Sequence, residues 1–414
     1  MTLRVAIVID DFFPASGGIS RSVQVQLEEL TKLGHEATLI APDRHLTPPH
    51  GVHTIACPVL HADILQPHLS VLPPGERRAR KITSGARFDV VHSQTERGAV
   101  VLAARLARLQ DVPHVHTFHC NVAGTHATLP VHGVFGSVGY ELLITRALAL
   151  ASRRPARFRA SMPPRTAEPD NDNVFSRMDW RSLARIASHV DLVTSPARYM
   201  LDNIEAAVGQ PIDGRVVPNA STGVADVGPG GPPRGGRDGV RFLSIGRLAR
   251  EKRLDVVLRA FGQARLPGAE LVIVGDGDQR ARLEAMGVPG VRFLGAISDR
   301  EVLARQYLEA DALVLGSYRF DVQPMVFLEA AAARLPVLYC DDRLAGGLRP
   351  GTSHLVAPHV QALAVGMREM AEPAKLAGLR EAYCGTEQGL HPAGMAKAYV
   401  EVYEEAIRMP RRHG

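Results

Sequence analysis

The string Gly246-Arg247-Leu248-Ala249-Arg250-Glu251-Lys252 comes directly after a short apolar run, and its residue types suit an anion. Glycine lets the backbone approach a ligand closely. The guanidinium of Arg247 can grip two phosphate oxygens at once, while Lys252 acts as a point charge. Taken alone, the same string also fits a solvated loop with surface charges. A second string, Asp321-Val322-Gln323-Pro324-Met325-Val326-Phe327-Leu328-Glu329, sets two carboxylates around an expected helix start. Pro324 suits the first turn, where a missing N–H costs nothing. Open amides there would favour a diphosphate. Glu329, about a turn into the helix, is placed to bond the vicinal hydroxyls of a ribose, and Asp321, on the preceding loop, to reach a sugar. An ordinary helix with an acidic N-terminus and a salt-bridged Glu329 fits that spacing too.

His116-Thr117-Phe118-His119 ends another apolar run. A histidine there can donate to a sugar hydroxyl or move a proton near neutral pH. With 17 histidines in the chain, a surface or satisfied core role fits any one of them as well. Ser16-Gly17-Gly18-Ile19-Ser20 puts glycines between a strand and a helix, where backbone can reach a phosphate or sugar. It is not Gly-x-Gly-x-x-Gly, which argues against a nicotinamide cofactor. Gly275-Asp276-Gly277-Asp278 is expected to be a structural tight turn.

The elements that must position these residues alternate along the chain. Apolar runs at 5–9, 37–41, 88–92, 112–118 and 190–194 have strand length, and 20–33 has helical spacing that stops at Gly34. Strands without polar alternation are buried on both faces, which means a parallel sheet covered by helices. A Gly/Pro-rich stretch at 223–239 reads as a linker or surface loop. The pattern then restarts: strands at 240–245, 271–274, 291–294, 312–315 and 337–340, with helices at 254–264, 278–286, 300–309 and 325–334. The fold class is therefore α/β, with two doubly wound Rossmann-like domains facing each other across a cleft. The expected boundaries are 1–221, 222–390, and a C-terminal helix at 391–414 packing back on the first domain. One region breaks the rhythm. Arg146, Arg153, Arg154, Arg157, Arg159 and Arg165 precede any acidic residue before Glu168, after an apolar segment containing Val134, Phe135, Val138, Leu142, Leu143, Leu148 and Leu150. A helix and then a mobile basic loop, at about 146–178, is expected.

The chain has 414 residues, 45% hydrophobic and 22% charged, which excludes a wholly disordered chain or a small disulfide scaffold. Its formal charge of +5 allows anionic partners without arguing for nucleic acid. The four cysteines stand far apart, so neither a zinc site nor a disulfide framework is expected. No apolar run is long enough to span a membrane, and the N-terminus lacks a signal peptide's apolar core. A cytoplasmic protein that can lie on a membrane surface is expected.

Taken together, the residues resemble the GT-B fold, retaining glycosyltransferases of family 4. The resemblance rests on Asp10-Asp11-Phe12-Phe13-Pro14-Ala15-Ser16-Gly17-Gly18, Leu33-Gly34-His35-Glu36, Thr117-Phe118-His119, Gly246-Arg247-Leu248 with Lys252, and Asp321 to Glu329 with Leu335-Pro336-Val337 after it. It covers about residues 3–120 and 185–375. It implies a nucleotide-diphosphate sugar as co-substrate, no separate cofactor and no required metal. It assigns Arg247 and Lys252 to the leaving diphosphate, Glu329 to the ribose, and Asp321 and His119 to the transferred sugar. Gly17, Gly18, Gly246, Gln323, Pro324, Met325 and Val326 line the donor in the same reading. Asp321 stands where the family usually has Glu, Asn219-Ala220 where it has Asn-Gly, and Arg334 where Gly is common. The N-terminal half is most similar to members that glycosylate membrane lipids, such as the diacylglycerol glucosyltransferases and phosphatidylinositol mannosyltransferases. Its arginines could meet anionic headgroups. Transfer to a soluble sugar, cyclitol or natural product is the alternative, and a non-catalytic binding protein the alternative of another class. Nucleic-acid binding is disfavoured, because the arginine-rich stretch lacks aromatic residues beyond Phe158.

Overall fold

The computed structural model describes residues 2–11, 17–44, 46–47, 49–61, 70–127, 136–153, 155–167, 172–220, 239–383 and 391–410. The chain divides into two units, Met1–Ala220 with Leu390–Gly414, and Ser221–Gly389.

The first unit is built on β1 (Arg4–Val8), β2 (Glu36–Pro42), β3 (His53–Cys57), β6 (Val90–Ser93), β7 (His114–Thr117), β8 (Leu192–Ser195) and β9 (Gly214–Val216). A small antiparallel pair, β4 (Leu60–His61) and β5 (Ser70–Val71), stands apart from them. The main sheet runs β3-β2-β1-β6-β7-β8-β9, every neighbouring pair parallel. β1 shows why its run is apolar without alternation. Val5 and Ile7 enter one core with Val23, Leu27 and Leu30 of the helix Gly18–Lys32, while Ala6 and Val8 enter another with Leu102 and Leu106 of the helix Gly98–Gln110. A strand in such a sheet has no solvent face. The C-terminal helix Pro392–Arg408 belongs to this unit and buries Tyr399 and Tyr403 in its core. Tyr403 Oη accepts from Gln26 Nε2 at 2.7 Å and lies 2.8 Å from His92 Nδ1.

The second unit contains β10 (Arg241–Ile245), β11 (Glu270–Val274), β12 (Val291–Gly295), β13 (Ala312–Leu315), β14 (Val337–Tyr339) and β15 (Ser353–Leu355), again all parallel, ordered β12-β11-β10-β13-β14-β15. Phe242, Leu271 and Ile273 pack against Leu258, Phe261, Leu363 and Met367, and Leu243, Val272 and Leu313 against Tyr307 and Phe327 on the opposite face. In both sheets the strand order reverses beside the first strand. Ligands of open α/β sheets bind at that reversal, beyond the carboxyl ends of the strands.

The arginine-rich region differs from expectation. Its leading segment is helical: a π-helical turn at Tyr140–Ile144 runs into the α-helix Thr145–Ser152. Beyond that helix the described residues 155–167 form no helix or strand and are bonded to the body of the unit. The Arg157 N–H donates to Ser188 O at 2.9 Å and the Ser161 N–H to Ala207 O at 2.7 Å. Arg157 is ion-paired with Asp213, so it is not an open cation. The chain then re-enters a helix at Val174–His189, begun by Asn173, whose side chain accepts from the N–H groups of Phe175 and Ser176. That start was legible as an Asn N-cap but was hidden by the polar run before it. Phe12 to Ser16, Val134, Phe135, Arg154, Glu168, Cys384 and most of the 223–239 stretch lie outside the described residues. Among the described residues no helix is long and apolar enough to cross a membrane.

Candidate functional site

In the second unit, β10 ends in Gly246, whose φ of 154° is outside the range ordinary side chains favour. A Cβ on Gly275 would stand 1.9 Å from Gly246 O, so the Gly275–Gly277 turn packs its bare backbone directly against the Gly246 loop. The Gly246 N–H donates to Val274 O at 3.0 Å and the Leu248 N–H to Asp276 O at 2.9 Å. The turn is structural, and its work is to hold the loop that carries Arg247 and Lys252.

Lys252 and Asp321, from separate sequence motifs, are brought together here. Lys252 Nζ donates to Asp321 Oδ1 at 2.5 Å and lies 5.1 Å from the Phe320 ring centroid. Ser317 Oγ donates to the other carboxylate oxygen at 2.5 Å. Both loops leave neighbouring strands, β10 and β13, at the carboxyl edge of the sheet where the order reverses. Arg247 forms an ion pair with Glu251 one turn on, and its side chain is 53% exposed. It is thus a surface cation with guanidinium donors left over beside Glu251.

Pro324 does not occupy the first helical turn as expected. It is the N-cap, with φ −64° and ψ 124°, and its carbonyl accepts from the Phe327 N–H at 3.0 Å. Proline at the N-cap of the helix Met325–Ala332 brings no side-chain acceptor of its own to the first-turn amides of Met325 and Val326. Gln323 is buried, its Cγ close against Gly347. Glu329 is 5% exposed and accepts the hydroxyl of the buried Tyr307. A carboxylate has about four acceptor positions, so that bond fixes its rotamer without exhausting it. Arg334, where the resembling family commonly has glycine, adopts φ 51° just after this helix. The position demands a left-handed residue, which explains the family's glycine.

In the first unit, Gly17 has φ 123° and Gly18 begins the helix Gly18–Lys32, both exposed. Asp10, fully buried, ties the neighbouring elements together. One of its oxygens accepts from the Leu72 N–H at 2.7 Å, and the other from the Ala99 N–H at 2.9 Å and Thr95 Oγ1 at 2.8 Å. Burial raises its pKa despite the nearby Arg97 guanidinium and these bonds.

His119 lies just past β7, half-buried. Its Nε2 is 2.7 Å from Gln94 Oε1. Gln94 Nε2 donates to Gln26 Oε1 at 2.8 Å, which fixes which way the Gln94 amide points. His119 Nε2 therefore carries the proton and donates, leaving Nδ1 as the ring's acceptor. Burial lowers the His119 pKa to about 4. Near neutral pH the ring is therefore neutral, with Nδ1 open to a hydrogen-bond donor.

The sequence reading missed the loop after β6: Gln94, Thr95, Glu96 and Arg97. Glu96 is 4% exposed, and one of its oxygens accepts from the N–H groups of His119 at 3.2 Å and Cys120 at 3.4 Å. Arg97 is ion-paired with Asp11 and lies 4.0 Å from Asp10. The available signal was a polar-charged tetrad directly after an apolar run and before Gly98. Gly98 is itself required, because a Cβ would sit 2.0 Å from Leu72 O.

Residues 16–221 match the Glycosyltransferase Family 4 domain, and residues 239–372 the Glycosyl transferases group 1 domain. The chain is 32% identical over 367 residues to a GDP-mannose-dependent alpha-mannosyltransferase of Mycobacterium tuberculosis, covering 86% of this chain and 82% of that one. It is 23% identical over 395 residues to an alpha-monoglucosyldiacylglycerol synthase of Streptococcus pneumoniae, covering 87% and 78%. Among solved structures, sucrose-phosphate synthase of Thermosynechococcus elongatus superposes with a TM-score of 0.68 at 18% identity, over 97% of this chain and 98% of that one.

Proposed function

The chain belongs to glycosyltransferase family 4, with the two Rossmann-like domains of the GT-B fold, and on that premise we propose that it transfers mannose from GDP-mannose to a membrane-lipid hydroxyl, with retention. The observation that carries this reading is the Lys252–Asp321 pair, a cation and a carboxylate joined at the edge of the second sheet on either side of its reversal. A diphosphate is the natural rival for Lys252, and its arrival frees Asp321 for a sugar hydroxyl. Arg247 and Lys252 then neutralise charge that grows as the diphosphate leaves, which is where electrostatic stabilisation counts most. The amides of Met325 and Val326 meet the same anion. Glu329, oriented by Tyr307, takes the ribose hydroxyls. Gly246 permits close approach of the donor. In the first unit Gly17 and Gly18 offer exposed backbone to the donor's phosphate side, and His119 Nδ1 accepts a hydroxyl of the transferred sugar.

GDP-mannose is an α-glycoside, and the M. tuberculosis relative is named as an alpha-mannosyltransferase. An α product from an α donor means retention. The bond from the anomeric carbon to the phosphate oxygen breaks as the bond to the acceptor oxygen forms on the same face. The acceptor's proton passes to the departing phosphate oxygen. The two cations supply the charge this needs, without a metal or cofactor.

A lipid acceptor is supported by the S. pneumoniae relative's name and by a surface of the first unit. Leu142, Leu143 and Leu150 are 45%, 69% and 74% exposed, with Arg146 on the same helical face and Arg153, Arg159 and Arg165 exposed nearby. Apolar side chains flanked by cations suit an anionic bilayer, each cation near the surface contributing about 1 kcal/mol. This would place the enzyme as a peripheral protein on the inner face of the cell membrane. Two measurements test the reading. GDP release from GDP-mannose, in a panel with UDP- and ADP-sugars, should be specific to the mannose donor and faster with lipid than with water-soluble acceptors. Phosphatidylglycerol vesicles at low salt should sediment the protein and phosphatidylcholine vesicles should not, with Leu143→Glu/Leu150→Glu weakening binding roughly tenfold. No turnover with any donor would leave a binding protein of this fold.

A further inference from the structure

Glu96 has no role in the assignment above, yet it sits at the reversal of the first sheet, just past β6. Its carboxylate is buried, and its bonds go to the loop that carries a proposed sugar-contacting residue. The backbone N–H groups of His119 and Cys120 converge on a single Glu96 oxygen, at 3.2 and 3.4 Å. Gln94, two residues earlier on the same loop, holds the ring of His119 at 2.7 Å. The loop after β6 therefore grips His119 twice, by its main chain and by its imidazole.

We propose that Glu96 is a positioning residue for His119, acting through the backbone of the His119–Cys120 turn, and that its ionisation governs how firmly the imidazole is presented. This rests on His119 contacting the transferred sugar. N–H bonds to an ionised oxygen are roughly twice as strong as bonds to a neutral one. Burial, acting against hydrogen bonds from the backbone N–H groups of Glu96 itself and Cys120 and against the Arg97 guanidinium, raises the Glu96 pKa to about 7. The carboxylate also faces Asp11, which pushes in the same direction, with Asp10 beside Arg97, the Cys120 thiol in hydrogen-bond contact and the Tyr140 hydroxyl nearby. The Cys120 and Tyr140 pKa values are raised well above normal and His119 is lowered to about 4. Within this cluster Glu96 is the group placed to change charge near neutral pH. Its protonation loosens the turn and slackens His119.

The test uses the full chain with selectively labelled histidine, the His119 signal being assigned by its loss in His119→Gln. In the wild type that signal should shift with an inflection near pH 7 although the ring itself does not protonate there. Glu96→Gln, nearly the same shape and still an acceptor, should abolish the inflection. GDP release from GDP-mannose should fall roughly tenfold on the acid side of the same inflection in the wild type and be flat in Glu96→Gln. Glu96→Asp, which keeps the charge but withdraws it by one methylene, should keep an inflection and lose turnover without a rise in donor KM. An unshifted His119 signal between about pH 6 and 8, or an inflection that survives Glu96→Gln, overturns the proposal. If the wild type does not turn over GDP-mannose, the donor assignment fails, while the histidine signal still decides the role of Glu96.

Discussion

The two sheets reverse their strand order in the same way, yet apart from the Arg97–Asp11 pair in the first and the buried Glu329 in the second, the residues at their reversal points are held by different means. In the second unit the side chains are paired ions near the surface: Lys252 with Asp321, and Arg247 with Glu251. Such pairs are cheap to exchange, because an incoming anion replaces a carboxylate already there. In the first unit the groups are buried or half-buried and held by directional bonds: Asp10 by backbone N–H groups, Glu96 by the His119–Cys120 turn, and the half-buried His119 by Gln94. Burial rather than pairing sets their protonation. One unit is made to trade partners, the other to keep them.

If that contrast holds, the largest stability loss belongs to the first unit. Asp10→Ala strands the N–H groups of Leu72 and Ala99 in the interior, which should cost about 3–5 kcal/mol in urea unfolding. A loss near 1 kcal/mol would mean that water replaces the carboxylate and the site is softer than it looks.

Next is a pair of opposed pH slopes. Glu96 titrates at about 7 in the folded state against roughly 4.3 unfolded. The folded state holds more protons in that window, so this group makes stability fall as pH rises from about 4 to 7. His119 titrates at about 4 against roughly 6.5 unfolded, so it makes stability rise through nearly the same window. Glu96→Gln should therefore gain on the order of 3 kcal/mol over the wild type at pH 8 and little at pH 4. His119→Gln should remove the rising slope instead. Unfolding midpoints of the three proteins at several pH values separate the two contributions, and parallel curves would contradict both.

Lys252→Ala carries the comparison into function. It should lower donor turnover by about 1.5–3 kcal/mol in transition-state terms, with the unfolding midpoint almost unmoved. Equal damage to fold and turnover would show that the ion pair is structural. The smallest expected effect is at Arg334, held at φ 51°. Arg334→Gly should stabilise by roughly 0.5–1 kcal/mol, and no change would mean that the arginine recovers the backbone cost through its side chain.

Much of the fold was readable from the residues alone. The helices at 254–264 and 300–309 and the strand at 312–315 coincide with the observed elements: Arg253 and Arg265 flank the first helix, Asp299 begins the second, and Asp311 and Gly316 flank an uninterrupted apolar run in the strand. The helix Gly98–Gln110 was not assigned, since its first three turns are nearly all apolar and carry little helical periodicity. The helix Val174–His189 was obscured by arginines before it, and its buried Trp180 gave no local sign of burial.

The residue types alone determined that this chain makes parallel sheets, that its glycines mark the strand ends, and that cations and carboxylates cluster after them. Those are local properties, fixed by periodicity, side-chain volume and charge. Tertiary structure decided which of them meet. Lys252 and Asp321 touch because β10 and β13 are neighbours only once the strand order reverses, and no spacing in the chain encodes that. The protonation of Glu96 and His119 is likewise a consequence of burial, which is a property of the space around a group and not of its position in the sequence.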